Sequence, residues 1–284
     1  MTSQKKLLTS HSLTRLAKLL ESTEANLLDL YETIPDQYII FPISKGKDKK
    51  RWIKAPKAPL KSIQKQLLFK VLYNEPPHDA AHGFVPKRSI VTNARPHLKK
   101  SWIANFDIHS FFPSTKTAAV KKALERYHTL SAEERDFILQ ICILEGELPQ
   151  GAPTSPHLAN LVMWEADTKL HAYAQKHQLS YTRYADDLTF SGAKIPDDLK
   201  IFLKDTLKEY QYHLAYKKTK ILGQHRRQMV TGLVVNERLN LPRPMRKRLR
   251  AILHDIKVNG FDHAMSRSQL NMDQLIGRIS LQSM

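Results

Sequence analysis

A single cysteine, Cys142, serves the whole chain. One thiol excludes an intrachain disulfide and a cysteine-built zinc cluster. Cys142 lies in the apolar run 137–144 and reads as a small buried hydrophobe. No stretch of eighteen or more apolar residues occurs, and no apolar signal-peptide core follows Met1, so a soluble, cytoplasmic protein is expected. Glycine is scarce, nine in 284 residues, and no internal repeat or low-complexity linker divides the chain. Acidic residues are short as well: 27 Asp and Glu stand against 45 Lys and Arg, a net charge of +18. An excess on that scale favours polyanionic partners, with nucleic acid first. The length allows one large domain or a few subdomains with an ample core.

Periodicity supplies the elements. Leu13, Leu16, Leu19, Leu20, Leu27, Leu28 and Leu30 predict one amphipathic helix over 11–32, closed by Pro35. Residues 39–57 predict a β-hairpin with a basic tip, suited to clamping phosphate. A helix is expected over 59–73, ended by Pro76 and Pro77. Residues 101–107 read as a strand that ends in Asp107, an acid among apolar neighbours. Three helices follow. The first is capped by Ser114 or Thr117, the second by the capping box Ser131/Glu134, and the third by Ser155 with Pro156 as its first helical residue. Beyond residue 190 the chain predicts a helix over 197–211 and a strand pair in 229–240 that turns at Asn236 and Glu237. A basic helical tail from Pro242 follows, ended by Gly260, with a shorter helix from about Ser268.

Residues 181–192 form the centre of the pattern: two short strand-like runs around Ala185, Asp186 and Asp187. A hairpin with the acids at its turn is predicted, and the absence of glycine there leaves the turn type open. Two carboxylates about 4 Å apart repel by about 4 kcal/mol at an effective dielectric of 20. Solvent, a shared proton or a cation relieves that repulsion, and Asp-Asp alone is more often a solvated turn. The order of elements changes the balance. Strands separated by helix pairs can be neighbours in one sheet, which would set Asp107 beside the hairpin acids. Three converging carboxylates suit a pair of Mg²⁺ ions, which take oxygen ligands and stabilise the attacking and leaving oxygens of a phosphoryl displacement.

Residues 106–112 (FDIHSFF), 148–156 (LPQGAPTSP) and 184–187 (YADD) resemble, in order and spacing, palm motifs A, B and C of reverse transcriptases, and Lys218-Thr219 resembles the motif D Lys-Thr. Residues 93–97 (NARPH) and Val230-Thr231-Gly232 resemble the Asn-Ala-x-x-His and Val-Thr-Gly elements of bacterial retron reverse transcriptases.

The resemblance implies an α+β right-hand polymerase with an antiparallel palm sheet backed by helices. Fingers would occupy 1–100, the palm 101–240 with a finger-side helical segment at 115–147, and a short thumb 241–284. It implies that Asp107, Asp186 and Asp187 hold two Mg²⁺ ions, Asp187 in support. Lys218 would be the general acid; Lys45, Arg51, Phe112 and Gln150 would bind the nucleotide, with Phe112 as steric gate. Asn93, His97, Val230, Thr231, Gly232, Arg243, Arg246, Lys247 and Arg250 are assigned to RNA or DNA. The implied partners are a cognate structured noncoding RNA and its RNA–DNA product, dNTPs and a retron effector protein, with no membrane partner. Ala215 departs from the family, which commonly has Asn there. The short thumb is expected to weaken template grip or shift that work to the RNA. Other readings are a group II intron-like or abortive-infection reverse transcriptase, and a catalytically silent RNA-binding module on the same fold.

Overall fold

A computed structural model describes residues 9–44, 46, 50–268 and 270–282. The predicted basic hairpin forms from β1 (Tyr38–Ser44) and β2 (Lys50–Pro56), paired from Tyr38 opposite Pro56 to Ser44 opposite Lys50. Lys45, assigned to the nucleotide from sequence, lies outside the described residues. The predicted strand at 101–107 forms as β3 (Trp102–Asp107). It is an inner strand of an antiparallel sheet with β4 (Ser180–Tyr184), β5 (Asp187–Gly192) and β6 (Lys220–Gly223), ordered β4-β5-β3-β6. Phe106, Leu188 and Phe190 are buried in this sheet, as pleated β-formers should be when helices cover one face. A third pairing joins β7 (Met229–Val230) to β8 (Leu233–Val234).

Two apolar cores result. The larger runs from Leu13 to Leu214 and joins the N-terminal helices, helix Ala132–Cys142 and the sheet-backing helices. Leu16, Leu20 and Leu27 are completely buried there, each contributing about 1.5–3 kcal/mol. Tyr31 stacks on Phe137 with ring centroids 5.5 Å apart. Cys142 is fully buried in the same core, as expected of it. The smaller core gathers Val91, Ala94 and Ile103 with Val230, Leu233, Leu249 and Ile252.

Several elements differ from expectation. The single helix over 11–32 is two helices, Ser10–Leu19 and Glu24–Thr33, because the Thr23 side chain accepts from Asn26 N and starts a new helix. The helix expected from Ser155 has Thr154 rather than Ser155 as its cap, and it is interrupted at Met163, giving Ser155–Val162 and Trp164–Lys176. The strand pair turns at Thr231 (φ 45°) and Gly232 (φ 85°), not at Asn236 and Glu237. That pair of positive φ values is the signature of a two-residue hairpin. The basic tail is three helices, Arg243–Asn259, Phe261–Ser268 and Met272–Gln282, the first ended by Gly260 at φ 87°. No helix among the described residues is long and apolar enough to cross a membrane.

Candidate active site

Sheet register brings the acids together. Asp107, the last residue of β3, stands opposite Asp187, the first of β5, and Tyr184 faces Asp187 across the hairpin. Only Ala185 and Asp186 remain in the turn. Ala185 has φ 55°, a left-handed value that gives a two-residue hairpin its twist and costs a non-glycine residue about 1 kcal/mol or more. The chain past β3 seals the arrangement. Ile108 N donates to Asp186 O at 2.9 Å, and Ala215 N donates to Asp107 O at 2.7 Å.

Crowded negative charge dominates the electrostatics. Lys218 Nζ lies 2.6 Å and 2.7 Å from the two carboxylate oxygens of Asp107, which is only 8% exposed. Asp187 reaches solvent, yet the protein packed around it, then the charges of Asp186 and Asp107, push its pKa up to about 6. Among the described residues no three His, Cys, Asp or Glu side chains are gathered closely enough to cage an ion. A protein cage is not what Mg²⁺ needs, since it commonly takes one or two carboxylates and completes its shell with water and substrate phosphates. Asp107 and Asp186 line one cleft, and carboxylate oxygens are the ligands that such an ion takes. The donor set therefore fits a hard divalent ion.

That cleft, about 800 Å³, is walled by the β1–β2 hairpin on one side and the acids on the other. Arg51, Phe112 and Gln150 all line it, with Asp107, Asp186 and Lys218. The loop carrying Gln150 is fastened to β2 by Lys54 N donating to Gln150 O at 2.9 Å. Three lining residues were not singled out from sequence. Lys50 is exposed on β2, and Lys54 ion-pairs with Glu145 at 2.6 Å and Glu147 at 3.1 Å. Phe84 meets Phe112 edge-on, centroids 6.4 Å apart. The basic run 45–61 held the signal for the two lysines; nothing distinguished Phe84. A second cleft, about 710 Å³, shares Asp107 and Lys218 and adds Asp187, Lys217, Lys220 and Arg227. Thr231 and Gly232 line it too.

Three residues assigned to nucleic acid are interior instead. His97 is fully buried between Ser191 Oγ at 2.7 Å and Thr182 Oγ1 at 2.8 Å. Burial, then the charges of His82 and Lys100, pull its pKa down to about 3. Asn93 is also fully enclosed and donates to Thr231 Oγ1 at 3.4 Å. Val230 belongs to the smaller core. These side chains join the segment 89–98 to the sheet and to β7, so they have no surface to offer a phosphate. Arg243, Lys247 and Arg250 are exposed along helix Arg243–Asn259, and Arg246 is half-buried.

Residues 43–235 match the family model described as reverse transcriptase (RNA-dependent DNA polymerase). The chain is 36% identical over 236 residues to the Retron Mx65 reverse transcriptase of Myxococcus xanthus, a match covering 76% of this chain and 55% of that protein. Identity to the Retron Mx162 reverse transcriptase of the same organism is 34%, covering 78% of this chain and 53% of that one. The Retron Ec86 reverse transcriptase of Escherichia coli is 35% identical over 242 residues, covering 83% and 74% respectively. The chain thus spans about half the length of the two Myxococcus relatives. With the three acids at the paired ends of β3 and β5 and in the turn beside them, and most of the chain matched, the protein belongs to the reverse transcriptase family and is of the retron type.

Proposed function

We propose that the chain is the RNA-directed DNA polymerase of a retron, copying part of a cognate structured noncoding RNA into single-stranded DNA. The meeting of Asp107, Asp186 and Asp187 beside a cleft with a cationic far wall carries this reading. The architecture reads as a right hand: β1–β2 and the helices before it as fingers, the four-stranded sheet as palm, and the helices from Arg243 as thumb. Two bound Mg²⁺ ions would stabilise the attacking and leaving oxygens of phosphoryl transfer. Asp107 and Asp186 would hold them, and Asp187 supports the pair. Arg51, with Lys50 beside it, binds the triphosphate, a role proposed also for Lys45. Gln150 and Phe112 line the place of the incoming sugar. Lys218 releases Asp107 and donates its proton to the departing pyrophosphate. On this reading synthesis would be primed from an RNA 2′-hydroxyl, leave a branched RNA–DNA product, and serve beside an effector protein in antiphage defence.

Primer extension tests the reading, first on poly(rA)·oligo(dT) and then on RNA that copurifies with the protein. Mg²⁺-dependent cDNA is expected, and with the copurified RNA a 2′-5′ linkage to it. Asp186→Asn should lower synthesis about a hundredfold or more while RNA binding and folding persist. A wild-type protein that makes no Mg²⁺-dependent cDNA on either template overturns the polymerase.

A further inference from the structure

Arg183 is the largest fully buried side chain among the described residues, and its partner Asp167 is equally enclosed, with 0% of either side chain exposed. The guanidinium is used on three sides. Nε donates to Asp167 Oδ1 at 2.8 Å and Nη2 to Asp167 Oδ2 at 2.6 Å. Nη1 donates to Asn160 Oδ1 at 2.9 Å and to Ala185 O at 3.0 Å, the carbonyl preceding Asp186. Tyr181 OH donates to Asp167 Oδ1 at 2.7 Å. Asn160 in turn donates to Gly83 O at 2.9 Å, and Gly83 lies so close under the turn that a Cβ there would sit 2.6 Å from Ala185 N.

Stability alone does not account for this arrangement, because a buried ion pair is commonly no better than well-packed apolar groups. An apolar side chain could not, however, hold a carbonyl. A planar fork can bind a carboxylate with one edge and still present a donor elsewhere. The donor it presents goes to the carbonyl of Ala185, a non-glycine residue held at φ 55° directly before Asp186. The next carbonyl, of Asp186, is taken by Ile108 N. Both turn carbonyls are thereby fixed, one by Arg183 of β4, itself anchored to Asn160 and Asp167 on the helices, and one by the residue after β3.

We infer that Arg183, Asp167 and Asn160 are positioning residues that clamp the Ala185 peptide and so fix Asp186 against Asp107. The inference rests on the polymerase reading above. Two variants test it: Arg183→Lys keeps the charge and loses the fork, and Asn160→Ala keeps the ion pair and loses the bridge to Gly83. Melting temperature, steady-state extension on poly(rA)·oligo(dT), the half-saturating Mg²⁺ concentration and Mn²⁺ binding by paramagnetic resonance are measured for each. The clamp predicts that kcat falls about tenfold or more, KM for dNTP stays within about twofold, and half-saturating Mg²⁺ rises about fivefold with a matching loss of Mn²⁺ affinity. A folded variant with wild-type kcat and metal affinity overturns the clamp. So does activity that falls only in proportion to unfolded protein, or the collapse of both variants to unfolded chain. A wild type that binds Mn²⁺ without extending primers sinks the polymerase reading alone, and Mn²⁺ affinity still judges the clamp. A wild type that does neither overturns both.

Discussion

Phe112 lines the larger cleft beside Phe84, with Asp107 and Asp186 in the same wall. A ring under the sugar of an incoming nucleotide leaves no room for a 2′-hydroxyl. Phe112→Ala is expected to raise ribonucleotide use relative to deoxyribonucleotide use by about tenfold or more, read by competing rNTP against dNTP in one extension reaction. An unchanged preference removes the ring from that role. The three acids were legible in sequence because motif letters and strand periodicity pointed to the same place. Asn93 and His97 were misplaced because a short polar motif reads the same whether its side chains face water or the interior. The partners of His97, Ser191 and Thr182, lie 94 and 85 residues away, a separation no local pattern reports. Arg183 was likewise hidden in plain view: nothing about one arginine in a strand says that its counter-ion comes from a helix before it.

At the scale of elements, the loop 148–154 works only because of how closely it approaches β2. Gly151 has φ 137°, and a Cβ there would stand 2.9 Å from Lys54 O, a backbone atom that cannot swing aside. Gly151→Ala should push the loop off β2 and carry Gln150 with it. The expected outcome is a KM for dNTP raised about tenfold with the melting temperature little changed, since Gly151 itself is exposed and Leu148 and Ala152 keep the loop's buried contacts. A wild-type KM contradicts this view of the loop. β3 was readable from alternation, the β1–β2 and β4–β5 hairpins from β-forming residues on either side of a polar break, and the Ser131/Glu134 capping box formed as written. Breaks in helices were less readable. Thr23 starts a second helix inside a leucine pattern that continues across it, so the apolar period masked the cap. The turn at Ala185 was unreadable for the opposite reason: its left-handed residue is not the glycine that would have announced it.

For the molecule as a whole, the start of the basic tail at Pro242 does not coincide with a break in packing. Val230 and Leu233 share the smaller core with Leu249 and Ile252, so composition marked a change of surface rather than of core. Three histidines couple this packing to pH: burial foremost lowers His97 to about 3, and His82 and His157 to about 4. Unfolded, each returns near 6.5. The unfolded chain therefore binds more protons below pH 6.5. Stability is whole above that pH and falls as pH drops towards the folded values, by about 2 kcal/mol for His97 alone at pH 5. Urea midpoints at pH 7.5 and 5 should show the loss, and His97→Asn should flatten it; equal slopes in both proteins reject the account. Net charge makes the last prediction. A chain at +18 meets nucleic-acid phosphate largely by releasing counter-ions, so log K should fall linearly with log salt, by about 0.7–0.9 per phosphate contacted. Arg243, Lys247 and Arg250 are exposed along one helix and read no base edges in this view. Replacing all three by alanine should weaken binding to an RNA–DNA hybrid alike for every sequence and reduce the salt slope by about 2–3. A slope that the triple variant leaves unchanged would place the grip elsewhere, with Lys217, Lys220 and Arg227 of the second cleft the next set to remove.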